Sequence, residues 1–421
     1  MNEVMAIWAA WLRPSAGLPT LQWSLLLAVA AATGHLLQRY TGLPKVVGYS
    51  VTGTFAGLAG FSGAVWPLQG IALFLLELGV SVVLFEAGGR LALRWFRHNP
   101  MVLLQSLLES LLTGIGVFLA LRYLGVRATV AESLGVIAMA ADPAVLSRVV
   151  MDTRASGPVT ERAMTLSTLS ALYALTLVNA RTGLLNRPAI EFTERLFPVF
   201  VVLGVSLVVG ALLALVLLVA LRVMSPTSEN TSMLLIAAIT AGTAVAAHFG
   251  GSAPLAALLG GLILKQLNPK PWAWPRQLGT ASSLLTMLMF VLVAVVAAKA
   301  PWNPAVAGLV AALVLARSVA KVLGVSLANW GSGTSWRQAV WTGCAMAPMS
   351  SIALLMVSQF AAASATLGAE IAAIALPAIL LMEVLGAIVV TFALDRARET
   401  SRPDAAETAG AAVELMRGKG P

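Results

Sequence analysis

Two polar breaks in apolar runs are the features of this sequence best suited to binding an ion. The first is Asp142-Pro143, inside the apolar stretch 136–150. The second runs from Pro348 to Ser351 and divides another apolar stretch. Proline removes a helix hydrogen bond, and a carboxylate in lipid needs a partner or a hydrated cavity. Each break therefore predicts an interrupted helix whose freed backbone groups face polar or charged side chains.

Asp142 has two interpretations. Its carboxylate can take up an ion or a proton, or it can cap the half-helix that starts behind Pro143. One carboxylate can fill both roles. The hydroxyls of Ser170 and Ser351 are further candidate ligands for a desolvated Na⁺ or K⁺, although such hydroxyls also bond to the preceding helical turn.

Charged side chains inside other apolar runs are available to serve these breaks. Arg317 and Lys321 lie four residues apart and therefore on one face of a helix. A buried amine favours its neutral form and can release a proton, whereas a guanidinium keeps its charge. Lys321 is thus a candidate proton-binding group, or one half of a permanent salt bridge, and Arg317 fits a structural role better. The acids within apolar runs are Glu77, Glu86, Glu109 and Glu383.

The elements that must position these residues are membrane-spanning helices. The chain has 421 residues, 59% of them hydrophobic and only 11% charged, which is too apolar for a soluble protein. Apolar runs between charged or Pro/Gly/Asn breaks predict an all-α polytopic membrane protein of about thirteen spans. The predicted spans are 21–38, 44–62, 68–89, 100–121, 130–151, 163–180, 196–221, 231–248, 252–267, 278–298, 305–328, 337–362 and 367–394.

The distribution of positive charge predicts the orientation. Most of the 27 lysine and arginine residues lie in loops after odd-numbered spans or in the C-terminal tail. The positive-inside rule then gives a multi-pass protein of the cell membrane with its N-terminus outside and its C-terminus in the cytoplasm. We predict an interfacial N-terminal segment at 1–20, a transmembrane domain at 21–395 and a short disordered cytoplasmic tail at 396–421.

Composition also argues against several function classes. The single cysteine and the three scattered histidines offer no metal cluster, and no nucleophile–base pair or phosphate-binding glycine loop is evident. We therefore expect neither an enzyme nor a bound cofactor. The net charge of +9 fits basic loops beside anionic lipid, so we expect no nucleic-acid partner.

The positions of the two breaks indicate an internal repeat. If spans 1 to 6 and 8 to 13 are two halves, the fifth span corresponds to the twelfth, and these are the two spans that are broken. Paired interruptions of this kind are typical of an inverted-repeat transporter with crossed, discontinuous helices. On the breaks alone, two proline kinks in unrelated helices remain an alternative.

Six stretches, in order along the chain, resemble the monovalent cation:proton antiporter superfamily, whose membrane domain is sodium/hydrogen exchanger-like. The likeness covers nearly all of 22–395. The six stretches are 34–60, 76–91, 131–150, 251–264, 317–325 and 380–394. The resemblance implies secondary active transport that exchanges Na⁺ or K⁺ for H⁺ by alternating access, in a homodimer. It also implies that Lys321 lies beside the ion site. We expect Asp142 to be the main titrating carboxylate, with Lys321 as its partner or competitor.

The sequence departs from that family at two sites. Relatives carry an Asn-Asp or Asp-Asp pair on the sixth span, where this chain has Ser170-Ala171. Relatives often have a Pro-Arg-Gly-Glu-like run where this chain has Pro348-Met349-Ser350-Ser351. Glu383, on the thirteenth span, is a candidate to replace the missing acid geometrically, although relatives often have Glu at this position too, which favours a structural role. A channel-like route for K⁺ efflux and an uncoupled or organic-anion transporter are the alternative functions.

Overall fold

The computed structural model describes residues 18–61, 63–91, 93–184, 192–224, 229–268 and 276–401. Throughout these ranges the regular structure is helical. The helices are α1 (Leu18–Thr41), α2 (Lys45–Leu58), α3 (Gly70–Arg90), α4 (Leu93–His98), α5 (Pro100–Tyr123), α6 (Ala128–Met139), α7 (Pro143–Thr153), α8 (Pro158–Leu184), α9 (Phe192–Val223), α10 (Glu229–His248), α11 (Ala253–Leu267), α12 (Arg276–Ala298), α13 (Pro304–Leu327), α14 (Trp336–Ala345), α15 (Ser351–Ala363) and α16 (Ala365–Arg396).

Each predicted span coincides with one helix or with a pair of helices. The span predicted at 130–151 is the pair α6 and α7, and the span at 337–362 is the pair α14 and α15. Eight spans in the described ranges are long and apolar enough to cross a bilayer, and the α6–α7 pair is one of them. The all-α membrane fold with two interrupted spans is therefore confirmed. The short helix α4 was not predicted, and the N-terminal segment 1–20 lies almost wholly outside the described residues.

The two halves of the chain make matching contacts. α3 packs along α11, and α2 packs along α12, so the third span meets the ninth as the second meets the tenth. α5 packs along α13, and both of these helices have 24 residues and follow an Asn-Pro start. α9 is the single span between the halves, and one intervening span reverses the direction of the second half in the membrane. These contacts fit two inverted repeats.

Glycines set the distance between α3 and α11. A Cβ atom on Gly88 would lie 2.1 Å from the carbonyl oxygen of Leu258. A Cβ atom on Gly261 would lie 2.0 Å from the carbonyl oxygen of Phe85. Both distances are far below van der Waals contact, so the two backbones touch directly, as small residues permit at helix interfaces in membranes.

Replacing Gly261 by alanine is expected to destabilise the fold. The new methyl group must push α11 away from α3, which costs about 1–3 kcal/mol of unfolding free energy. Thermal unfolding of detergent-solubilised protein measures the effect. Gly308→Ala on α13 is the matched control, because no atom lies within 4 Å of its Cβ position. Equal unfolding temperatures for the two variants would contradict the direct backbone contact.

The chain after α16 folds back onto the start of α8. The Glu399 carboxylate accepts hydrogen bonds from the backbone N–H groups of Val159 at 2.8 Å and Thr160 at 2.7 Å. The Ser401 N–H donates to the carbonyl of Thr153 at 3.3 Å. Residues 399 to 401, which belong to the predicted tail, therefore contact the helical bundle. Residues 402–421 lie outside the described ranges.

A candidate ion site at the helix crossing

The two interrupted spans meet at their breaks. α6 ends at Met139 and α7 begins at Pro143, and α14 and α15 are separated by the stretch from Met346 to Ser350. The Asp142 N–H donates to the carbonyl oxygen of Pro348 at 3.2 Å, which joins one break to the other. The predicted crossing of discontinuous helices is thus present, and it places four half-helix ends close together.

Asp142 caps both half-helices that start at the crossing. Its side chain is 2% exposed, and one oxygen accepts the N–H of Ala144 at 2.9 Å, in the first turn of α7. The other oxygen accepts the hydroxyl of Ser351 at 2.7 Å and the N–H of Ile352 at 3.4 Å, in the first turn of α15. Helix N-termini carry partial positive charge, so one carboxylate compensates two of them.

Arg317 binds the carbonyl ends of the two half-helices that end at the crossing. Its guanidinium is fully buried and donates to Ala138 O at 3.0 Å and Ala140 O at 2.9 Å, at the end of α6. It also donates to Ala347 O, and to Pro348 O at 3.0 Å, beyond the end of α14. Helix C-termini carry partial negative charge. Arg317 and Asp142 therefore complement all four helix ends.

Lys321 binds an acid that the sequence did not single out. Its ammonium forms a salt bridge with the Glu109 carboxylate of α5, and both side chains are fully buried. The same ammonium donates to the carbonyl of Met139 at 3.0 Å, at the end of α6. The Ser110 hydroxyl also donates to the Glu109 carboxylate at 3.2 Å. The Thr113 hydroxyl donates to the backbone carbonyl of Glu109 at 2.7 Å, and its oxygen lies 3.3 Å from the carboxylate. The pair is thus enclosed by oxygen atoms and lies one helical turn from Arg317.

The sixth span has Ser170-Ala171 where the resemblance to cation:proton antiporters predicts an Asn-Asp or Asp-Asp pair. Ser170 of α8 accepts the N–H of Ala141 at 3.1 Å and donates to Ser167 O at 3.0 Å. Ala171 is completely buried among apolar side chains. The Ser170 hydroxyl therefore supports the break between α6 and α7, and it already has a donor and an acceptor as partners.

Glu383 lies on another side of the crossing. It belongs to α16, is fully buried, and accepts the hydroxyl of Ser50 from α2 at 3.0 Å. One turn further, a Cβ atom on Gly386 would lie 2.8 Å from Pro348 Cα, so α16 passes directly against the break before α15. Glu383 is thus a second buried acid beside the crossing, close to the break before α15 and to the Asp142 carboxylate.

Cavities approach the crossing from two faces of the bundle. On the face where α16 ends, which we call the tail face, a cavity of about 410 Å³ lies between α3, α7 and α8. Its lining residues are Ala87, Arg90, Leu91, Val150, Thr160, Glu161, Met164, Thr165 and Thr168. A void of about 10 Å³, roughly the size of one water, shares Ala87, Arg90 and Met164 with that lining and reaches Pro143.

On the opposite face, two adjoining cavities of about 310 and 330 Å³ share Leu111, Met139 and Leu177. The ion pair of Glu132 with Arg181 lines the first cavity. Ser110 lines the second. The crossing lies between these cavities and the tail face. In the part of the chain that the structure describes, no three His, Cys, Asp or Glu side chains gather as a resident metal site.

The structure brings most of the predicted site residues together. Asp142, Pro143, Arg317, Pro348 and Ser351 all lie at the crossing, with Ser170 against it and Lys321 one turn along α13. Glu109 was noticed as a buried acid but given no role. The signal that identifies it is a polar stripe at helical spacing on α5, and all of its members are buried. They are Gln105, Ser106, Glu109, Ser110 and Thr113.

Comparisons with known proteins agree with this architecture. The family model described as sodium/hydrogen exchanger, transmembrane, matches residues 25–396. The fold is similar to that of the sodium proton antiporter from Methanocaldococcus jannaschii at pH 8, with a TM-score of 0.69 and 16% identity over 90% of this chain and 98% of that one. A second structure of that antiporter, from an electron-microscopy map, is similar to this fold with a TM-score of 0.61 and 17% identity over 96% of each chain. No curated protein matches the sequence.

Proposed function

We propose that this chain, which belongs to the sodium/hydrogen exchanger family, is a secondary transporter that exchanges Na⁺ or K⁺ for H⁺ by alternating access. The family confirms the resemblance that the six sequence stretches indicated. The observation that best supports the proposal is the crossing itself, where Asp142 and Arg317 complement four half-helix ends beside the buried pair of Lys321 with Glu109. Inverted-repeat transporters hold their ions at such breaks near the middle of the membrane.

The contacts of these residues indicate a structural role for some of them and a proton-binding role for another. Asp142 gives its two oxygens to three hydrogen bonds that hold α7 and α15 together, so protonating it would weaken two helix caps at once. We therefore assign Asp142 and Arg317 to holding the crossing, rather than Asp142 to proton exchange. Lys321 is the group that we assign to proton exchange, because an amine that is buried and then hydrated can change its charge.

The cavities provide the two ends of an alternating path. The tail-face cavity approaches Pro143, and the opposite-face cavities approach Met139, on the two sides of the first break. Alternating access requires that the tail-face cavity closes when the opposite-face cavities open, and the reverse. The half-helices that meet at the crossing are the elements that must shift, because they separate the two approaches.

Two further proposals accompany this function. The excess of basic residues in loops after odd-numbered spans supports a cytoplasmic C-terminus in the cell membrane. The resemblance to dimeric exchangers supports a homodimer. Glu399, which holds the chain end against α8, then faces the cytoplasm together with the tail-face cavity.

The function is tested with purified protein in liposomes that contain a pH-sensitive dye and carry an imposed pH gradient. Adding NaCl or KCl outside is expected to dissipate the gradient, whereas choline chloride is not. Glu370→Gln is a matched control, because this acid pairs with Arg127 at an exposed site and should leave exchange unchanged. A folded protein that shows no cation-dependent proton movement would refute the proposal. A K⁺ current larger than the turnover of a carrier allows would establish the channel alternative instead. Thermal stabilisation of the protein by organic carboxylates, but not by Na⁺ or K⁺, would establish the organic-anion alternative.

A further inference from the structure

The acid that binds the cation in relatives is absent from α8, so another group must take that role if the proposed function holds. We propose that the cation site of this protein is built on Glu109 of α5, and that the transported cation takes the place of the Lys321 ammonium there. This inference rests on the proposed function and assigns its site.

The ammonium of Lys321 marks where a single positive charge is held. It touches a carboxylate oxygen of Glu109 and the carbonyl oxygen of Met139. The hydroxyls of Ser110 and Thr113 lie against the same carboxylate, at 3.2 and 3.3 Å. Carboxylate, carbonyl and hydroxyl oxygens are the ligands that hard cations prefer. When the ammonium withdraws, these oxygens form a ready set for Na⁺ or K⁺.

The other acids near the crossing are less suited to this role. Asp142 already accepts three hydrogen bonds as a double helix cap, and Arg317 is committed to carbonyls at the break. Glu383 accepts the hydroxyl of Ser50 on α2, and its charged neighbour is the Asp142 carboxylate, not an amine. Glu109 alone among the buried acids described contacts an amine that is able to leave and return.

Two cavities on the opposite face come close to the pair. The cavity of about 330 Å³ is lined by both Ser110 and Met139, each of which contacts the pair. The adjoining cavity of about 310 Å³ also reaches Met139 and passes the ion pair of Glu132 with Arg181. Ser110 and Met139 therefore form the thin wall that separates these cavities from the buried Glu109 carboxylate, and this wall must open for a cation to enter.

The exchange step balances in charge and in protons. At the start, Glu109 is a carboxylate and Lys321 is an ammonium. A cation M⁺ enters and binds the Glu109 carboxylate and Met139 O, while Lys321 loses one proton to water in the cavity and becomes a neutral amine. The net charge of the site does not change. One cation therefore enters for each proton that leaves, and the exchange is electroneutral.

The groups that face this pair are few. α13 itself brings Arg317, and α7 brings the Asp142 carboxylate against that arginine. α8 brings the phenol of Tyr173, whose hydroxyl lies 3.0 Å from the Ser106 hydroxyl on α5. α6 contributes only its carbonyl ends. Arg317 is therefore the one other positive group on α13 beside Lys321, and it remains bound to the carbonyls of the crossing.

The test measures protons released by detergent-solubilised protein in a weakly buffered dye solution, together with cation-dependent thermal stabilisation. Adding NaCl or KCl to the unaltered protein is expected to release about one proton per chain and to raise the unfolding temperature, in contrast to choline chloride. Lys321→Met should keep the thermal stabilisation, at a cation concentration at least tenfold lower, and lose the proton release. Glu109→Gln should lose both responses.

Two further variants keep the result interpretable. Glu109→Leu combined with Lys321→Met removes both charges, so it should fold and show neither response even if Glu109→Gln unfolds. Glu370→Gln should retain both responses. Cation-dependent stabilisation in the double variant, or proton release from Lys321→Met, would overturn the Glu109 site. If the unaltered protein exchanges no cation for protons in liposomes, the proposed function fails; if it does so and only the variant results disagree, the site alone fails.

Discussion

Arg317→Met is expected to destabilise the protein by about 3–5 kcal/mol, the effect of removing one partner from a buried charged network. The guanidinium donates to carbonyls at the ends of both α6 and α14, and methionine would leave these acceptors without donors in a dry environment. The Asp142 carboxylate would also lose its nearby positive charge. Thermal and denaturant unfolding in detergent, monitored by circular dichroism, measures the loss.

Arg317→Lys is the informative control for this prediction. Lysine keeps the charge but has one compact ammonium in place of the planar fork, so it cannot reach carbonyls on both broken spans. We expect it to recover less than half of the lost stability. Full recovery would show that charge, and not the arrangement of several donors, is what the crossing requires.

Asp142→Ala is expected to cost about 2–4 kcal/mol and to slow exchange at least tenfold, because it removes the caps of two half-helices. Asp142→Asn should cost less, since its amide oxygen still accepts one backbone N–H. Unfolding in detergent and exchange in liposomes measure the two effects. The decisive measurement is equilibrium proton release on cation addition, which should persist in folded Asp142→Asn.

That result separates two roles for one carboxylate. If Asp142 holds the crossing, its amide variant transports slowly but still trades one proton for one cation. If Asp142 is instead the titrating group, the folded amide variant releases no proton at all. Ser351→Ala is a milder companion, because it removes one of the three hydrogen bonds that Asp142 accepts.

The spans and their interruptions could be predicted from the sequence because they follow from local properties. Apolar length defines a span, and Pro143 and Pro348 cannot continue a helix without loss of a hydrogen bond. The facing of Arg317 and Lys321 followed from helical spacing in the same way. These predictions needed no knowledge of which helix lies beside which.

The partners of the buried charges depend on contacts between distant segments. Lys321 and Glu109 are 212 residues apart, and spacing along α5 indicates a polar face without naming what it meets. The contacts of Glu399 are of the same kind, because the N–H groups that it binds are 240 and 239 residues away along the chain. Helix α4 is short and lies between two spans, where apolar length gives no signal.

The packing of α5 along α13 has a consequence for how the barrier moves. These two helices are each other's counterparts in the two halves, so the pseudo-two-fold axis that relates the halves passes through their interface. If the halves exchange their conformations, an opening on one side of the bilayer becomes an opening on the other, while points on that axis stay in place. Glu109 and Lys321 join the same two helices across this interface. A cation held by this pair, as we propose, would lie beside the part of the bundle that moves least, while the openings on the two sides of the bilayer change around it.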